Sequence, residues 1–272
     1  MMANVGIFGA NGRMGRNLIE AVTADQQASL NACSVRASSP FNGMDAGLIA
    51  GIGEQGVVAS SDLDSLAKAC NVWIDFTLPE ALSENIDYCV KHKLNMVIGV
   101  TGLPESLIEK MKQASKHIAI VFAANFSTGV NLMYKLLEVT SKTIGDDCDI
   151  EIIEGHHRYK KDAPSGTAMA LGQVIADTLD RDLDKVAVYG REGDTGERSR
   201  ETIGFATVRA GDIVGDHTVL FADIGERLEI THKASSRLTF AKGAVRAANW
   251  LDGKQKGLFD MQDVLNLKQL KL

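Results

Sequence analysis

Short apolar runs and amphipathic stretches alternate along the first half of the chain. Val5-Gly6-Ile7-Phe8 is followed by Arg13–Thr23, where Met14, Leu18, Ala21 and Val22 share one helical face. The runs Leu30–Val35, Val72–Phe76, Met96–Gly99 and Ile118–Phe122 come next, with helical spacing over Pro79–Lys91 and Glu105–Ser115. Strands that are apolar throughout have both faces buried, and strands separated by helices run parallel. The pattern predicts a parallel sheet covered by helices on both sides.

Near Ser127 the pattern changes. Leu132–Thr143 reads as a helix and Asp149–Ile153 as a strand, followed by a polar loop and a helix over Ser165–Leu179. The segments Ile203–Arg209, His217–Ile224 and Arg227–His232 are β-rich and joined by turns at Gly211-Asp212 and Gly225-Glu226. Strands joined by short turns are expected to pair antiparallel. A last helix, Phe240–Trp250, is expected to pack back on the first domain. The reading is a first domain of residues 1–127 with 238–272, and a second, α+β, of 128–237.

Composition narrows the function classes. The chain has 272 residues and a formal net charge of −6, which argues against a nucleic-acid binder or an anionic-membrane binder. An anionic substrate would need a local cationic site. The four cysteines are widely spaced, with no CxxC pair, a poor disulfide framework and a poor zinc site. No metal is expected. No window approaches the roughly 18 apolar residues of a membrane span, and no signal-type segment opens the chain. A cytoplasmic location is expected.

The first chemical signal is Gly9-Ala10-Asn11-Gly12-Arg13-Met14-Gly15, a Gly-x-x-Gly-x-x-Gly loop between a buried strand and a helix. Gly9 and Gly12 permit a tight turn and close approach to a pyrophosphate, and Gly15 permits the helix to pack on the strand. The helix N-terminus adds free N–H groups. This is the setting of a Rossmann-type dinucleotide-binding domain. About 20 residues on, where the adenosine ribose is read, stands Ser34-Val35-Arg36-Ala37-Ser38-Ser39, without an acid. An arginine among hydroxyls suits a 2′-phosphate. Arg36 therefore points to NADPH over NADH, against the plainer reading of a solvated surface arginine.

The second signal is Glu154-Gly155-His156-His157-Arg158-Tyr159-Lys160-Lys161-Asp162-Ala163-Pro164-Ser165-Gly166-Thr167-Ala168. Ser165 is placed as an N-cap, so the amides of Gly166 and Thr167 form an anion cradle beside Arg158, Lys160 and Lys161. Hydride added to a C=C or C=N bond leaves charge that a proton must meet. His156 or His157 is the natural donor near neutrality, and a lysine can stabilise charge or donate in turn. Asp162 reads as a local partner of the cationic loop rather than an acid catalyst. His92, His117, His217 and His232 lie outside the cluster and are given no catalytic role. Arg237 suits a substrate or hinge contact and a helix-start ion pair equally.

These segments resemble the bacterial 4-hydroxy-tetrahydrodipicolinate (dihydrodipicolinate) reductase family over essentially the whole chain. Ile74-Asp75-Phe76-Thr77, Gly99-Val100-Thr101-Gly102, Ala123-Ala124-Asn125-Phe126-Ser127, Gly204–Arg209 and Ala234–Arg237 join the two signals in carrying the likeness. The resemblance implies reduction of a cyclic unsaturated dicarboxylate by NAD(P)H, on the diaminopimelate route to lysine. It also implies a homotetramer joined through a mixed sheet of the second, substrate-binding domain. By position it makes His156 the proton donor/acceptor and Lys160 a second donor, with His157, Gly166 and Thr167 at the substrate. Gly9, Ala10, Asn11, Gly12, Arg13 and Met14, Gly99, Val100 and Thr101, and Ala123, Ala124, Asn125 and Phe126 fall at the cofactor. Val35 stands where a family member using both cofactors has glutamate, which weakens the expectation for NADH. Another two-domain NAD(P)-dependent dehydrogenase is the second reading: the missing zinc site disfavours alcohol-dehydrogenase metal chemistry, and the cationic cradle favours a carboxylate-bearing substrate. A redox sensor would not need the His–Lys–amide set, and the sequence has no DNA-reading basic helix.

Overall fold

The computed structural model describes residues 2–270, and contacts divide the chain into two units. One runs up to Thr128 and resumes over Arg237–Gln269; the other is Gly129–Ser236 with Leu270.

The first unit opens with β1 (Ala3–Phe8), α1 (Arg13–Thr23), β2 (Ala28–Ser34), α2 (Ala46–Ala50), β3 (Ala59–Ser60) and α3 (Leu63–Leu66). It continues through β4 (Val72–Asp75), α4 (Pro79–His92), β5 (Asn95–Ile98), α5 (Glu105–Ala114) and β6 (Ala119–Phe122). In the second unit come α6 (Thr128–Ile144), β7 (Asp149–His156), α7 (Gly166–Thr178), α8 (Leu183–Val186), β8 (Ala187–Tyr189), β9 (Ile203–Arg209), β10 (Gly215–Asp223) and β11 (Glu226–Ala234). The chain then returns through α9 (Leu238–Trp250), β12 (Gly257–Phe259) and α10 (Met261–Val264) to the first unit.

The first sheet has seven strands in the order β12-β6-β5-β4-β1-β2-β3, parallel throughout. The order reverses direction between β1 and β4, the switch point of a Rossmann-type sheet, where ligands bind at the carboxyl ends. Alternation of the two buried faces explains why the central strands are apolar along most of their length. Val72, Ile74, Val97, Ala119 and Val121 pack with Leu18, Val22 of α1 and Ala241, Ala244, Val245 of α9. The intervening Trp73, Met96, Ile98 and Ile120 pack with Leu82, Ile86 of α4 and Leu107, Met111 of α5. Trp73 is fully buried and stacks on Phe8 with ring centroids 4.1 Å apart. All four cysteines are buried and unbridged, and burial pushes the Cys33 and Cys70 thiols up to about 12.

The second sheet is mixed, in the order β11-β10-β7-β9-β8. The expected antiparallel run holds only for the β10–β11 hairpin, closed at Gly225. β9 and β10 are not neighbours: β7 lies between them, antiparallel to β10 and parallel to β9. The Gly211-Asp212 turn therefore steps over a strand instead of closing a hairpin. Strand β7 also runs three residues past the expected end, because β10 pairs with it as far as Gly155 and β9 as far as His156. Its inner face packs Ile150 and Ile152 under α7 residues Leu171 and Ile175.

Helix α9 closes on the first unit through Gly243, where a Cβ would collide with the Phe126 carbonyl and press on its side chain. Gly243→Ala is expected to destabilise the protein by about 1–3 kcal/mol, the usual range for overpacking. Urea unfolding measures this; an unchanged midpoint would show that the helix seats differently.

Candidate active site

The nucleotide-type site stands at the carboxyl end of the first sheet. Gly9, with φ +66°, turns the chain out of β1 in a conformation that L-residues seldom adopt. Gly12 donates its N–H to the Gly9 carbonyl at 3.0 Å, and the N-cap of α1 carries no side-chain cap. The first-turn amides of α1, including Arg13 and Met14, are thus left to an external acceptor. A Cβ on Gly15 would strike the carbonyls of Gly9 and Ala10, so the close approach is to the loop itself rather than to β1. The Ala10 N–H is already committed to the Ser34 carbonyl at 2.9 Å.

The other expected cofactor residues follow neighbouring strands: Arg36 after β2, Gly99–Thr101 after β5, Ala123–Phe126 after β6. Arg36 is exposed and has no ion-pair partner among the described residues. Val100 and Phe126 turn their side chains into the core, leaving backbone for any ligand. Asn125 accepts the Ser127 N–H at 2.8 Å, fixing the turn. Asp75, buried at the end of β4, accepts the Thr77 N–H at 2.8 Å, the Thr77 hydroxyl at 2.6 Å and the Asn85 amide at 2.7 Å. Burial pushes its carboxyl above the ordinary range despite those donors.

In the second unit, Glu154 and His156 lie two apart on β7 and so share a face. Thr207 and Arg209 are opposite them on β9, and His217 is opposite Glu154 on β10. Five polar side chains therefore meet on the face that α7 covers. Glu154 is 1% exposed. Its Oε1 accepts the Ser165 N–H at 3.0 Å and Arg209 Nη2 at 2.8 Å; its Oε2 accepts Arg209 Nη1 at 2.9 Å and lies 2.6 Å from His156 Nδ1. Burial pushes the Glu154 carboxyl up, but the Arg209 fork and the His156 ring outweigh it and hold it below its ordinary value. Burial holds His156 down, reinforced by the charges of Lys160 and Arg209, against the pull of Glu154. At neutral pH these directions favour an ionised carboxylate beside a neutral imidazole.

Ser165 is the expected N-cap of α7, its hydroxyl accepting the Ala168 N–H at 3.1 Å; the Ala163–Pro164 peptide just before it is cis. The same hydroxyl lies 2.9 Å from His217 Nε2. With one lone pair already used, donation of its proton to Nε2 leaves fewer unpaired groups than the reverse. Lys160 holds Asp162 through both carboxylate oxygens, at 2.9 and 2.8 Å, the partner role expected of Asp162. His157 is half-buried with Nδ1 unpartnered, and Gly166 is exposed. Among the described residues no group could hold a metal ion.

Arg209, Thr207, Ser165 as a His217 partner, and His217 itself were not legible as site residues. His217, set aside in the sequence, stands 5.1 Å from His156 between ring centroids. Cross-strand register was the only signal that would have found it.

Comparison with known proteins gives concordant results. A family model described as dihydrodipicolinate reductase, N-terminus, matches residues 3–126, and its C-terminus counterpart matches 129–265. A 4-hydroxy-tetrahydrodipicolinate reductase from Pseudoalteromonas atlantica is 62% identical over 266 residues, 98% of this chain and 100% of that protein. One from Colwellia psychrerythraea is 60% identical over 268 residues, with the same coverage. Among solved structures, dipicolinate-bound dihydrodipicolinate reductase from Paenisporosarcina sp. TG-14 aligns with a TM-score of 0.76 at 24% identity, over 97% of this chain and 99% of that one. An amine dehydrogenase from Mycobacterium smegmatis gives 0.56 at 14%, over 93% and 94%. These two structural likenesses bear on the fold alone.

Burial pushes the His217 imidazole down from 6.5 to about 4. The unfolded chain takes up that proton first, so the stability it represents is complete above about pH 6.5 and is lost as pH falls toward 4. The loss is roughly 3 kcal/mol. His217→Gln should flatten this part of the stability–pH curve in denaturant unfolding; an equally steep curve would place the titration elsewhere.

Proposed function

The chain belongs to the dihydrodipicolinate reductase family, and from that premise we propose that its first unit holds NADPH while its second holds the substrate ring and supplies the proton. It is an NAD(P)H-dependent oxidoreductase that reduces 4-hydroxy-tetrahydrodipicolinate to tetrahydrodipicolinate on the diaminopimelate route to lysine. The glycine loop fits a dinucleotide: the first turn of α1 is uncapped, and side chains at Gly9 or Gly15 would fill the turn. Gly9–Met14, Gly99–Thr101 and Ala123–Phe126 would line it, with Arg36 at the adenosine ribose. When bound, the reduced nicotinamide supplies the hydride.

The second unit supplies what remains. The Gly166 and Thr167 amides and His157 would receive the substrate carboxylates, with Lys160 beside them. A dianion placed there raises the proton affinity of the neighbouring imidazole. His156, neutral in the free protein, thus gains its proton as the anion arrives and gives it to the reduced ring. Lys160 is the second donor. The observation that carries this reading is that one carboxylate, Glu154, bonds both the His156 ring and the N–H of Ser165 that opens α7. The proton donor and the amide cradle are one side chain apart.

Arg36, with Ser38 and Ser39 beside it and no acid at the end of β2, supports NADPH over NADH. The second sheet's outer face, with Ile153 and Val208 exposed, supports assembly as a homotetramer, which sedimentation would read directly. No described helix is long and apolar enough to cross a membrane. That, with four buried thiols, supports a cytoplasmic location, which cell fractionation would check.

Decay of absorbance at 340 nm with freshly generated substrate tests the reading. His156→Gln should lower kcat by about 10²–10⁴, the usual size of a general acid–base contribution, and Lys160→Ala should lower turnover with NADPH binding nearly intact. Loss of NADPH binding in either variant would refute the division between units. The same assay should give a higher kcat/KM with NADPH than with NADH; equal values would remove Arg36 from the cofactor site.

A further inference from the structure

We propose that Glu154 is a positioning residue for the reduction: its carboxylate fixes the single proton of neutral His156 on Nδ1, keeps Nε2 bare for proton exchange with the bound ring, and holds that ring to the first turn of α7. The inference rests on His156 being the proton donor, and its test separates the two.

The donors around the carboxylate decide where the proton lies. Two guanidinium nitrogens of Arg209 and the Ser165 N–H occupy three directions of Glu154, at 2.8–3.0 Å. A carboxylate so clasped is an acceptor only, so the hydrogen in its 2.6 Å contact with His156 belongs to Nδ1. A neutral imidazole carries one proton, and Nε2 must then be bare. The backbone keeps that nitrogen approachable. Gly215 lies beside it, and a Cβ there would stand 3.2 Å from Nε2.

This arrangement suits repeated proton donation. Nε2 takes a proton from solvent as the dianion binds. In the reaction its N–H bond breaks, the electron pair stays on nitrogen, and the proton joins the substrate atom left electron-rich by hydride addition. The ring returns to the same neutral form with the Glu154 bond intact, so no ring flip is needed between turnovers. In the opposite tautomer Nε2 already holds the only proton of a neutral ring, and donation would leave an imidazolate.

The surroundings make Glu154 hard to replace. Lys160 from the loop, Arg209 from β9 and His217 from β10 all face His156, with His232 beyond His217 on β11. Asp162 is occupied by Lys160. Glu154 is the anion bonded to the ring. In Glu154→Gln the amide oxygen can keep the Ser165 and Arg209 Nη2 bonds at Oε1; the NH2 at the other position gives up the Arg209 Nη1 bond and faces Nδ1. A donor at that position moves the proton to Nε2.

The experiment is nitrogen-15 NMR of the imidazoles in full-length, NADPH-loaded enzyme, with His156→Gln assigning the resonance. Wild-type His156 should be protonated on Nδ1 and bare on Nε2, and Glu154→Gln should reverse this. In the same preparations, Glu154→Gln should lower kcat by about 10²–10⁴, a general acid–base effect, with KM close to wild type. The high-pH fall of kcat/KM should move to lower pH, since Glu154 raises the proton affinity of His156. Glu154→Asp, which keeps the charge, should restore the Nδ1 proton and part of the turnover. Wild-type His156 protonated on Nε2 overturns the proposal, even if Glu154→Gln fails to fold. So does a Glu154→Gln enzyme with wild-type tautomer and pH profile. Normal turnover by His156→Gln overturns the proposal together with the reading beneath it; the first two outcomes overturn the proposal alone.

Discussion

A buried carboxylate clasped by a guanidinium fork organises the second unit. Glu154 is taken out of water on β7 and meets the half-buried Arg209 on the adjacent β9, and each has further partners, Ser165 for the acid and the Asp162 and Val208 carbonyls for the base. A buried ion pair is weak evidence for net stability, since desolvation offsets much of the attraction. Breaking one side is another matter, because the remaining charge is left unpaired, at a cost of about 3–5 kcal/mol. The pair therefore acts as a registration device. It ties β7 to β9 and, through Ser165, both strands to the N-terminus of α7, and His156 takes its orientation from the same oxygen atoms.

The first unit uses a different constraint. Its central strands β1, β4, β5 and β6 are buried on both faces, and its carboxyl edge is a row of loop positions. Gly9 starts a turn that ends at a helix whose N-cap, Gly12, has no side chain to cap its first-turn amides. In the proposed function the two units differ in their anion-binding device: the first would offer helix amides and the exposed Arg36, the second helix amides, lysines and a titratable ring.

Much of this was legible because it is local. The glycine loop, the N-cap at Ser165 and the His–Lys run are contiguous in sequence, and their chemistry follows from residues within a few positions. The parallel sheet was legible because full burial erases period-two alternation. What stayed hidden is non-local. Arg209 and His217 reach the site only because β7 enters between β9 and β10, and pairing β9 with β10 as a hairpin separates them from Glu154. Register across strands is set by packing over tens of residues rather than by the turn between them. The edge strands Ala59–Ser60, Ala187–Tyr189 and Gly257–Phe259 were missed for a simpler reason: two or three residues carry no periodicity.

In the proposed reading, burial and the charges of Lys160 and Arg209 keep His156 neutral, its one proton on the Nδ1 that faces ionised Glu154, until a dicarboxylate charges the ring. Proton uptake on ligand binding measures this without turnover. Pyridine-2,6-dicarboxylate titrated into the NADPH-loaded protein at pH 7.5, in buffers of different ionisation enthalpy, should show net uptake that disappears in His156→Gln. Binding without uptake, or uptake unchanged in that variant, would contradict it.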